Sequence, residues 1–555
     1  MQRSRSLPLA VLAAVCLAVQ LPTVDAAIVI SGDVDPADAG SWSIDTDVLV
    51  GKTANGELEV NGGSSLDSRT SYIGFEDTAT GVVTVDGADS AWTNSANLYI
   101  GCGGNGTLNI SGGAEISVTG SAYVAYQAAS TGLIHFDAGG GTLTTGSLLA
   151  SPTQLVGTGT VNTRSLVSDI DLLLDSAASL TQTFVFDSQP ERNVTVNLDM
   201  ASSPSRNGVL GAGWKGRGSL AIRDGVTVTS LDGYIGYHSG STGVVTVHGA
   251  DSTWTNRYGL FVGRFGSGAL NISSGAAVSN DRSGQIGLFS DSMGVVTVDG
   301  AGSTWINGGN LYIGREGSGA LNLTGGAAVS NDQSGYIGAN ASSMGVVKLD
   351  GAGSTWTNSH DLHVGSSGSG TLNITDGAAV SNAVGYIGAS SGSTGDVTVD
   401  GGGSTWLNSR ILYVGNSGSG TLNITGGAEV STVSGYIGRY SGSTGVVTVD
   451  GADSTWNNSD NLYVGYQGTA ALNITNGGAV SAASVSVNSE SLLVVDSILD
   501  ANSAAVAGTL AGKGYGQRRP EQCRYGLRHR CPRWRWHRYL DDGHRHHGIE
   551  GRRDC

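Results

Sequence analysis

The chain has little proline, little cysteine and little charge. Its 555 residues include 8 prolines and 5 cysteines, and charged residues make up 14%. Although glycine is abundant at 89 residues, the shortage of proline and the lack of a Gly-X-Y period exclude collagen and a disordered Pro/Gly mixture. Apolar residues at 39% can fill a narrow core, and a chain of this length predicts several domains or one repeat array.

Long apolar runs are missing outside the N-terminus. Residues 1–26 are typical of a secretory signal peptide, with Arg3 and Arg5 before the apolar stretch 7–21 and a cleavage site before Ala27. No other run reaches the ~18 apolar residues of a membrane helix. We therefore expect an exported chain without a membrane-spanning segment in its mature part.

Cysteine and charge are unevenly placed. Only Cys102 lies in the body, so an exported body would be held by packing and hydrogen bonds rather than by an internal disulfide. Residues 27–512 contain 15 Lys and Arg against 40 Asp and Glu, whereas residues 513–555 contain 12 against 5. An acidic body argues against nucleic acid as a partner, because phosphate binding needs a basic face.

A tryptophan recurs once in a unit of about 50 residues, and a glycine follows nine residues after each one. The column consists of Trp42, Trp92, Trp254, Trp305, Trp356, Trp406 and Trp456. Each unit has two similar halves, exemplified by residues 412–431 and 436–456. The glycine after the first strand marks each half, in steps that alternate between 27 and 23–24 residues. The marks are Gly51, Gly74, Gly101, Ala125 in the same slot, Gly213, Gly236, Gly263, Gly287, Gly314, Gly338, Gly365, Gly388, Gly415, Gly438 and Gly465.

These halves predict an all-β fold, a parallel β-helix in which each half-repeat is one coil. Runs such as Leu270-Asn271-Ile272 alternate apolar and polar residues, and no stretch of the body has the 3.6-residue apolar spacing of a helix. Glycines would form the corners with positive φ. Fifteen coils about 4.8 Å apart would make a rod of roughly 70 Å before any irregular section is counted.

Stacked coils would also align polar side chains. An Asn column falls in the same slot as a Thr column and could form a hydrogen-bonded ladder: Asn109, Asn271, Asn322, Asn373, Asn423 and Asn473 with Thr84, Thr246, Thr297, Thr398 and Thr448. An Asp column occupies alternate coils, at Asp86, Asp299, Asp350, Asp400 and Asp450. Its carboxylates would be about 10 Å apart.

The domain organisation follows from where this pattern holds. We expect β-helix repeats over 27–139 and 209–510. Residues 140–208 contain no Trp and are interpreted as irregular β coils or an inserted module. Residues 511–555 form an aberrant basic tail.

Several runs resemble a known group of exported repeats. These runs are S-T-W-T-N-S, L-Y-V-G, G-S-G-T-L-N-I-T and G-V-V-T-V-D-G-A, and they cover roughly 42–137 and 209–482. They are similar to repeats of type V secretion (autotransporter) passengers and of PEP-CTERM-associated surface proteins. The resemblance implies an exported β-helix displayed on the surface of a Gram-negative-type bacterium, and it implies no enzyme activity.

The tail admits two interpretations. A metal or nucleic-acid tail would use Cys523, Cys531, His544, His546 and His547, but their spacing matches no familiar zinc pattern. The interpretation that explains more is a one-base frameshift, because permitted codons for 515–526 read in the shifted frame as T-V-N-G-D-L-N-N-A-G-T-V, which is repeat-like sequence. The nucleotide sequence decides between them.

No catalytic constellation stands out. The body has five histidines, at His135, His238, His248, His360 and His363, and no G-x-S-x-G, H-E-x-x-H or P-loop motif. His248 stands in the Asp column and His363 replaces the Tyr of L-Y-V-G. Polysaccharide lyases and hydrolases use clustered carboxylates, whereas the Asp column is regular and Asp291 is isolated. Calcium on the Asp column is possible as a cofactor, although the nonapeptide calcium repeat is missing.

The tryptophan column has two interpretations. Trp254, Trp305, Trp356, Trp406 and Trp456 could form a carbohydrate-stacking strip, or each could pack against the neighbouring coil at a corner. The fixed position favours packing. The sequence therefore predicts an exported, surface-displayed rod with an adhesin-like or structural role and no catalysis, with extracellular glycans or surface components as partners. The alternative is a polysaccharide-binding or polysaccharide-cleaving β-helix protein.

Overall fold

The structure is a computed structural model that describes residues 27–189, 192–512 and 515–517. The chain is a parallel β-solenoid of about 18 turns, which confirms the predicted fold class. The expected signal peptide at 1–26, and the Cys and His residues named in the tail, lie outside the described residues. At about 4.8 Å per turn the rod is roughly 85 Å long.

Each regular turn contributes one strand to each of three faces. The long face is formed by seven-residue strands in most turns, in one sheet of six strands and another of fourteen. The six are Ala27–Gly32, Asn55–Asn61, Thr80–Asp86, Asn105–Ser111, Thr131–Phe136 and Leu155–Gly157. The fourteen are Asp171–Leu174, Arg217–Arg223, Thr242–His248, Ser267–Ser273, Met293–Asp299, Ser318–Thr324, Met344–Asp350, Ser369–Thr375, Thr394–Asp400, Ser419–Thr425, Thr444–Asp450, Thr469–Thr475, Leu492–Val495 and Thr509–Ala511.

The second face carries the tryptophans, and we call it the tryptophan face. Its strands are Ser65–Ser68, Ala91–Asn94, Gly159–Thr163, Thr181–Gln189, Arg192–Asp199, Thr227–Ser230, Thr253–Asn256, Ala277–Asn280, Thr304–Asn307, Ala328–Asn331, Thr355–Asn358, Ala379–Asn382, Thr405–Asn408, Glu429–Thr432, Thr455–Asn458 and Tyr515–Gln517.

The third face carries the L-Y-V-G strands, and we call it the tyrosine face. Its strands are Val34–Asp35, Val48–Val50, Ser71–Ile73, Leu98–Ile100, Leu166–Ser168, Leu210–Ala212, Gly233–Ile235, Leu260–Val262, Gly284–Ile286, Leu311–Ile313, Gly335–Ile337, Leu362–Val364, Gly385–Ile387, Ile411–Val414, Ser434–Ile437 and Asn461–Val464. Four longer strands run across the second and third faces: Ala114–Val124, Gly141–Leu149, Ala479–Val487 and Ile498–Val506.

The N-terminal end of the described rod is covered by antiparallel strands. Ala27–Gly32 pairs antiparallel with Asn55–Asn61, and Val34–Asp35 pairs antiparallel with Val48–Val50. The hydrogen-bonding edge of the first parallel coil is therefore not left free. Three short 3-10 helices complete the described elements, at Ala39–Ser41, Pro152–Gln154 and Pro204–Arg206.

Residues 140–208 continue the solenoid in an irregular form. The long face is interrupted here, since Leu155–Gly157 ends one sheet and Asp171–Leu174 begins the other. Strands Thr181–Gln189 and Arg192–Asp199 pair antiparallel, and the second of them also pairs parallel with Gly159–Thr163. The tyrosine face alone runs through the segment without a break in pairing. Coils of this segment lack the marking glycine, which is one reason why the repeat count of 15 falls short of about 18 turns.

The marking glycines have the positive φ that the sequence predicts. Gly314, for example, has φ 69°, and a Cβ at this position would overlap the carbonyl group of Met344 in the next coil. Ala125 occupies the same slot with φ 59°. The close approach of one coil to the next therefore fixes this corner.

The interior is a single apolar core along the whole rod. In the long strands every second side chain points inward, as Leu270 and Ile272 do, and both are buried. On the tryptophan face Trp305 lies between Val278 and Val329 of the adjacent coils. A large and a small inward side chain thus alternate from coil to coil, which gives the repeat its period of two coils.

Candidate functional site

The tryptophan column lies in the core, not on the surface. Trp254, Trp305, Trp356, Trp406 and Trp456 are all 0% exposed. They lie within strands rather than at a corner, and their rings offer no free surface on which a sugar could stack. The carbohydrate-stacking alternative therefore does not fit these residues.

Two further details of the column differ from the expectation. Trp42 follows the 3-10 helix Ala39–Ser41, and its Nε1 donates to the carbonyl of Pro36 at 3.1 Å, so it does not share the strand position of the later tryptophans. Trp92, Trp254, Trp305, Trp356 and Trp406 are each hydrogen-bonded to the preceding coil, as Trp356 Nε1 donates to Asn331 Oδ1 at 2.9 Å. Trp456 Nε1 has no partner, because Thr432 stands where the other coils carry Asn or Ser.

The Asp column is paired with hydroxyl groups. Asp350 Oδ1 accepts from Thr375 Oγ1 at 2.7 Å, and Asp400 Oδ1 accepts from Thr425 at 2.6 Å. Between two successive Asp residues of the column, the intervening coil carries Thr or Ser at the same position, as the alternation predicts. Within the described ranges no group of three or more His, Cys, Asp or Glu side chains could hold a metal ion. Calcium on this column stays a prediction.

The Asn and Thr columns are in register, as expected. Thr246 pairs with Asn271, which pairs with Thr297. Of the side-chain ladder, the described part of the chain contains one Asn-to-Thr hydrogen bond, from Asn109 Nδ2 to Thr84 Oγ1 at 3.2 Å. Lys348 interrupts the column.

The five histidines do not converge. His135 and His248 lie on the long face, and His248 shares a hydrogen bond of 3.0 Å with Ser273. His360 is exposed and contacts the backbone of Asp332. Asp291, the isolated carboxylate, is exposed in a loop with φ 64°.

The tyrosine face carries an aromatic ladder on its outward side. Rings of adjacent coils stack with centroids 4.6–5.1 Å apart, except that Tyr413 and Tyr436 are tilted at 5.3 Å. Its members are Tyr72, Tyr99, Tyr123, Tyr234, Phe261, Tyr312, Tyr336, His363, Tyr386, Tyr413, Tyr436 and Tyr463. Because the ring faces lie against neighbouring rings, the ladder presents ring edges and hydroxyl groups outward.

Burial changes the ionisation of the ladder. Desolvation raises the pKa of Tyr336 and of Tyr386, so both hydroxyls stay protonated and can donate as well as accept hydrogen bonds. The His363 ring lies between these two tyrosines at 4.8 and 4.6 Å. Desolvation lowers the pKa of His363 to about 4, so this ring is neutral at pH 7.

A second column borders the ladder. It contains the residue that follows each marking glycine or Ala125, and we call it the shoulder column: Lys52, Phe75, Cys102, Tyr126, Trp214, Tyr237, Arg264, Leu288, Arg315, Ala339, Ser366, Ala389, Asn416, Arg439 and Tyr466. Its arginines lie over aromatic rings. The Cζ of Arg264 is 4.2 Å from the centroid of Tyr237, and that of Arg439 is 4.3 Å from Tyr413. These contacts are cation–π interactions.

The ladder is interrupted twice in the described rod. Gln285 fills its slot between Phe261 and Tyr312, and Leu149, Val167 and Gly211 fill it between Tyr123 and Tyr234. The indole of Trp214 is fully buried over this gap, in a second apolar cluster that includes Leu149 and Val167. Its Nε1 donates to the carbonyl of Val124 at 2.8 Å.

Neighbouring polar groups complete this junction. Lys215 Nζ donates to the carbonyl of Ser130 at 2.9 Å, across 85 residues of sequence. His238 packs against Trp214 with centroids 4.5 Å apart. Burial, followed by the charges of Lys215 and Arg264, lowers the pKa of His238 to about 3, so His238 is a neutral packing residue at pH 7.

The sequence analysis missed the aromatic ladder, although its signal was present. The Tyr of L-Y-V-G and of G-Y-I-G recurs in every coil from Tyr312 to Tyr463, apart from His363. A Tyr between two apolar residues gives a continuous apolar run. Such a run does not alternate with polar residues, so it does not show that the Tyr side chain points outward.

Comparisons with known proteins give a coarse result. No protein-family model matches the sequence, and no solved structure matches it. The chain is similar to the protein named "Uncharacterized lipoprotein YdeK" of Escherichia coli (strain K12), with 28% identity over 299 residues. The similar region covers 51% of this chain and 22% of that protein, so the chain spans about a fifth of its relative. In the part of the chain that the structure describes, no helix is long and apolar enough to cross a membrane.

Proposed function

We propose that this protein is an exported, surface-displayed rod with an adhesin-like or structural passenger role, and that it acts without catalysis. The contact surface is the tyrosine face. The observation that carries the proposal is the aromatic ladder with its bordering arginines, because Tyr and Arg are enriched where proteins bind partners. A rod that repeats such a surface along its length offers many weak contacts at once.

Two similarities support an envelope location. One is the lipoprotein of Escherichia coli, whose name places it among lipid-anchored proteins. The other is the resemblance of the repeats to autotransporter passengers and PEP-CTERM-associated proteins. Location is tested by adding protease to intact cells that express the full chain, with a periplasmic protein as the control. Degradation of the rod with survival of the control supports display, whereas equal survival of both contradicts it.

Adhesion is tested with the full chain and two matched pairs of substitutions. Tyr440 and Tyr466 are 43% and 52% exposed beside the ladder, whereas Ile306 and Leu407 are 48% and 50% exposed on the tryptophan face. Changing Tyr440 and Tyr466 to Ser should reduce adhesion of expressing cells to a surface coated with extracellular glycans and matrix proteins. Changing Ile306 and Leu407 to Ser should leave adhesion unchanged. Equal adhesion by both variants and the unaltered chain contradicts the choice of face.

The second candidate is a polysaccharide-binding or polysaccharide-cleaving protein. Of these two activities, polysaccharide binding is favoured by the arginines of the shoulder column, because arginine suits an anionic ligand. Cleavage is tested by following product release from pectin or alginate. Release above that of a heat-inactivated sample would replace the non-catalytic proposal.

A further inference from the structure

We infer that the tyrosine face binds an anionic polysaccharide, which lies along the rod axis with carboxylates at Arg264, Arg315 and Arg439. The inference rests on the proposed function, since it names the ligand class of the same face. It starts from the placement of cations in a chain whose formal net charge is −17.

The three arginines share one column and lack an acidic partner. All are half-buried in the shoulder column, and none takes part in the four ion pairs found among the described residues. Two coils separate Arg264 from Arg315, and five separate Arg315 from Arg439. These separations are about 10 and 24 Å along the axis. A straight row of unpaired charges suits a linear polymer of opposite charge.

Each guanidinium is held in place before a ligand arrives. Arg264 lies 4.2 Å from the ring centroid of Tyr237 and 4.9 Å from that of Phe265. Arg315 Nη1 donates to Gln285 Oε1 at 2.7 Å, at the one coil between Tyr234 and Tyr463 where the ladder has no ring. Fixing the side chain in advance lowers the entropic cost of binding, and the remaining N–H groups can meet a carboxylate in a bidentate pair.

Arg439 is held in the same way. Its Nη1 donates to Asn416 Oδ1 at 3.2 Å, and its Cζ lies 4.6 Å from the ring of Tyr440, which is 43% exposed. The C-terminal third of the ladder thus repeats the combination of cation and exposed aromatic ring seen around Arg264.

The ladder supplies the groups that a sugar chain requires between its charges. Tyr312, Tyr336, Tyr386, Tyr436 and Tyr463 place partly exposed phenol side chains along the same line, whereas Tyr413 is buried beneath Arg439. A protonated phenol both donates and accepts, as a sugar hydroxyl does. Since the ring faces are covered by stacking, contact with the ladder is through hydroxyls and ring edges.

An acidic peptide is the other class of polyanion, and the face suits it less well. From Gly233–Ile235 to Asn461–Val464 every strand of the tyrosine face pairs with a neighbour on both sides. No backbone edge is free there to accept an added strand. Binding of a peptide would therefore rest on side chains alone.

The test measures binding of the immobilised full chain to polygalacturonate, to neutral dextran and to poly-glutamate. It is run at 0.15 M NaCl, where the Debye length of about 8 Å limits repulsion by distant carboxylates. One variant carries Arg264→Gln and Arg439→Gln. The control carries Arg217→Gln and Lys348→Gln, which remove the same charge from exposed positions of the long face. Circular dichroism checks that both variants keep their β structure.

We expect the unaltered chain and the control to bind polygalacturonate equally, and the variant lacking Arg264 and Arg439 to bind roughly tenfold more weakly. Dextran should not bind. Equal affinity of the two variants overturns the inference, as does the absence of polygalacturonate binding. Tighter binding of poly-glutamate would assign the face to an acidic protein instead. If the cells still adhere through Tyr440 and Tyr466 while polygalacturonate fails to bind, the proposed function stands and this inference falls.

Discussion

At the scale of single residues, the core is built on pairs of unequal size. From Trp254 onward, each indole contacts the preceding coil, where a glycine occupies the inward position of the tyrosine face. A Cβ on Gly284 would lie 2.7 Å from Trp305 Cζ2, and a Cβ on Gly335 would lie 2.8 Å from Trp356 Cζ2. The change from L-Y-V-G to G-Y-I-G in alternate coils is therefore explained by the space that the indole needs.

This pairing predicts the effect of adding one methyl group. Gly335→Ala should destabilise the fold by about 1–3 kcal/mol, because the new carbon overlaps the indole in a core that has no room. Gly402→Ala is the matched control, since its Cβ would meet nothing within 4 Å. The measurement is amide hydrogen exchange of the strand Gly335–Ile337 and of the coil around Gly402. Equal loss of protection in both variants would refute the size argument.

The indole hydrogen bonds predict a difference between two chemically identical substitutions. Trp356→Phe breaks the bond to Asn331 Oδ1, whereas Trp456→Phe removes an Nε1 that has no acceptor. The first should therefore cost about 1 kcal/mol more than the second. Hydrogen exchange in Thr355–Asn358 and Thr455–Asn458 measures each cost locally, which a long repeat array requires because it need not unfold in one step.

A third variant tests the contribution of the indole hydrogen bond by supplying an acceptor to Trp456. Thr432→Asn would place an amide oxygen where the other coils supply an acceptor to the tryptophan, and it should increase protection of Thr455–Asn458. Unchanged or reduced protection would show that the missing acceptor is of no consequence.

At the scale of strands and ladders, the sequence predicted the path of the chain better than the direction of its side chains. The strict alternation in Val296-Thr297-Val298 fixes which residues point inward, and the structure agrees. Thr-Trp-Thr-Asn is ambiguous, because a Trp can face a core or a ligand. Its neighbours decide the matter, since Val278 and Val329 share its position and are buried.

In the strands of the tyrosine face, the sequence pattern does not show which side chain points outward. Leu, Tyr and Val are all suited to a buried strand, so three-residue strands with one large outward ring have no visible period. The arginines of the shoulder column were equally hidden, because alignment from coil to coil is visible only when loops of different length are placed in register. This explains why the fold was predicted correctly and the surface with the cations was not.

Within the ladder, His363 predicts a pH dependence. Its pKa is lowered to about 4 by burial, whereas the ordinary value is 6.5, so the unfolded chain binds a proton more readily than the folded one. Stability contributed by the neutral ring is complete above about pH 6.5 and is lost as the pH falls towards 4. We expect protection of Leu362–Val364 to decrease over this window by up to about 3 kcal/mol.

The control for this prediction is His363→Tyr, which restores the ring found in the neighbouring coils. The variant should show little change in protection between pH 7 and 4. A similar pH dependence in both proteins would mean that another group, such as the His238 ring, governs the effect.

At the scale of the whole molecule, the long face of the described rod is divided into two sheets. The long face is split between Leu155–Gly157 and Asp171–Leu174, and the tyrosine face bridges the split. Trp214 and Lys215 reach back across 85–90 residues to the carbonyls of Val124 and Ser130. These two side chains therefore fasten the two halves of the solenoid on the face that also carries the ladder.

Removing the contacts of Trp214 should destabilise the rod locally, within the irregular segment. Trp214→Ala deletes a fully buried indole, at a cost of about 3–5 kcal/mol, and we expect new proteolytic cleavage within 140–208 while the coils on either side stay resistant. Phe289→Ala, which removes a half-buried ring in the loop after Gly287, is the control and should leave the cleavage pattern unchanged. Cleavage spread along the whole chain would contradict a local role.

The alternation of Trp305 and Trp356 with Val329 and Val380 also restricts how such a gene can change in length. Losing or gaining a single coil would bring two like coils together. Two Val coils would place Val on Val and Gly on Gly and leave a void, and two Trp coils would set two indoles against each other. Gain or loss of two coils leaves every neighbour as before. Tandem duplication that survives selection should therefore proceed in steps of 50–51 residues, the spacing from Trp305 to Trp356 and from Trp356 to Trp406. The length of this rod would then be inherited in discrete increments.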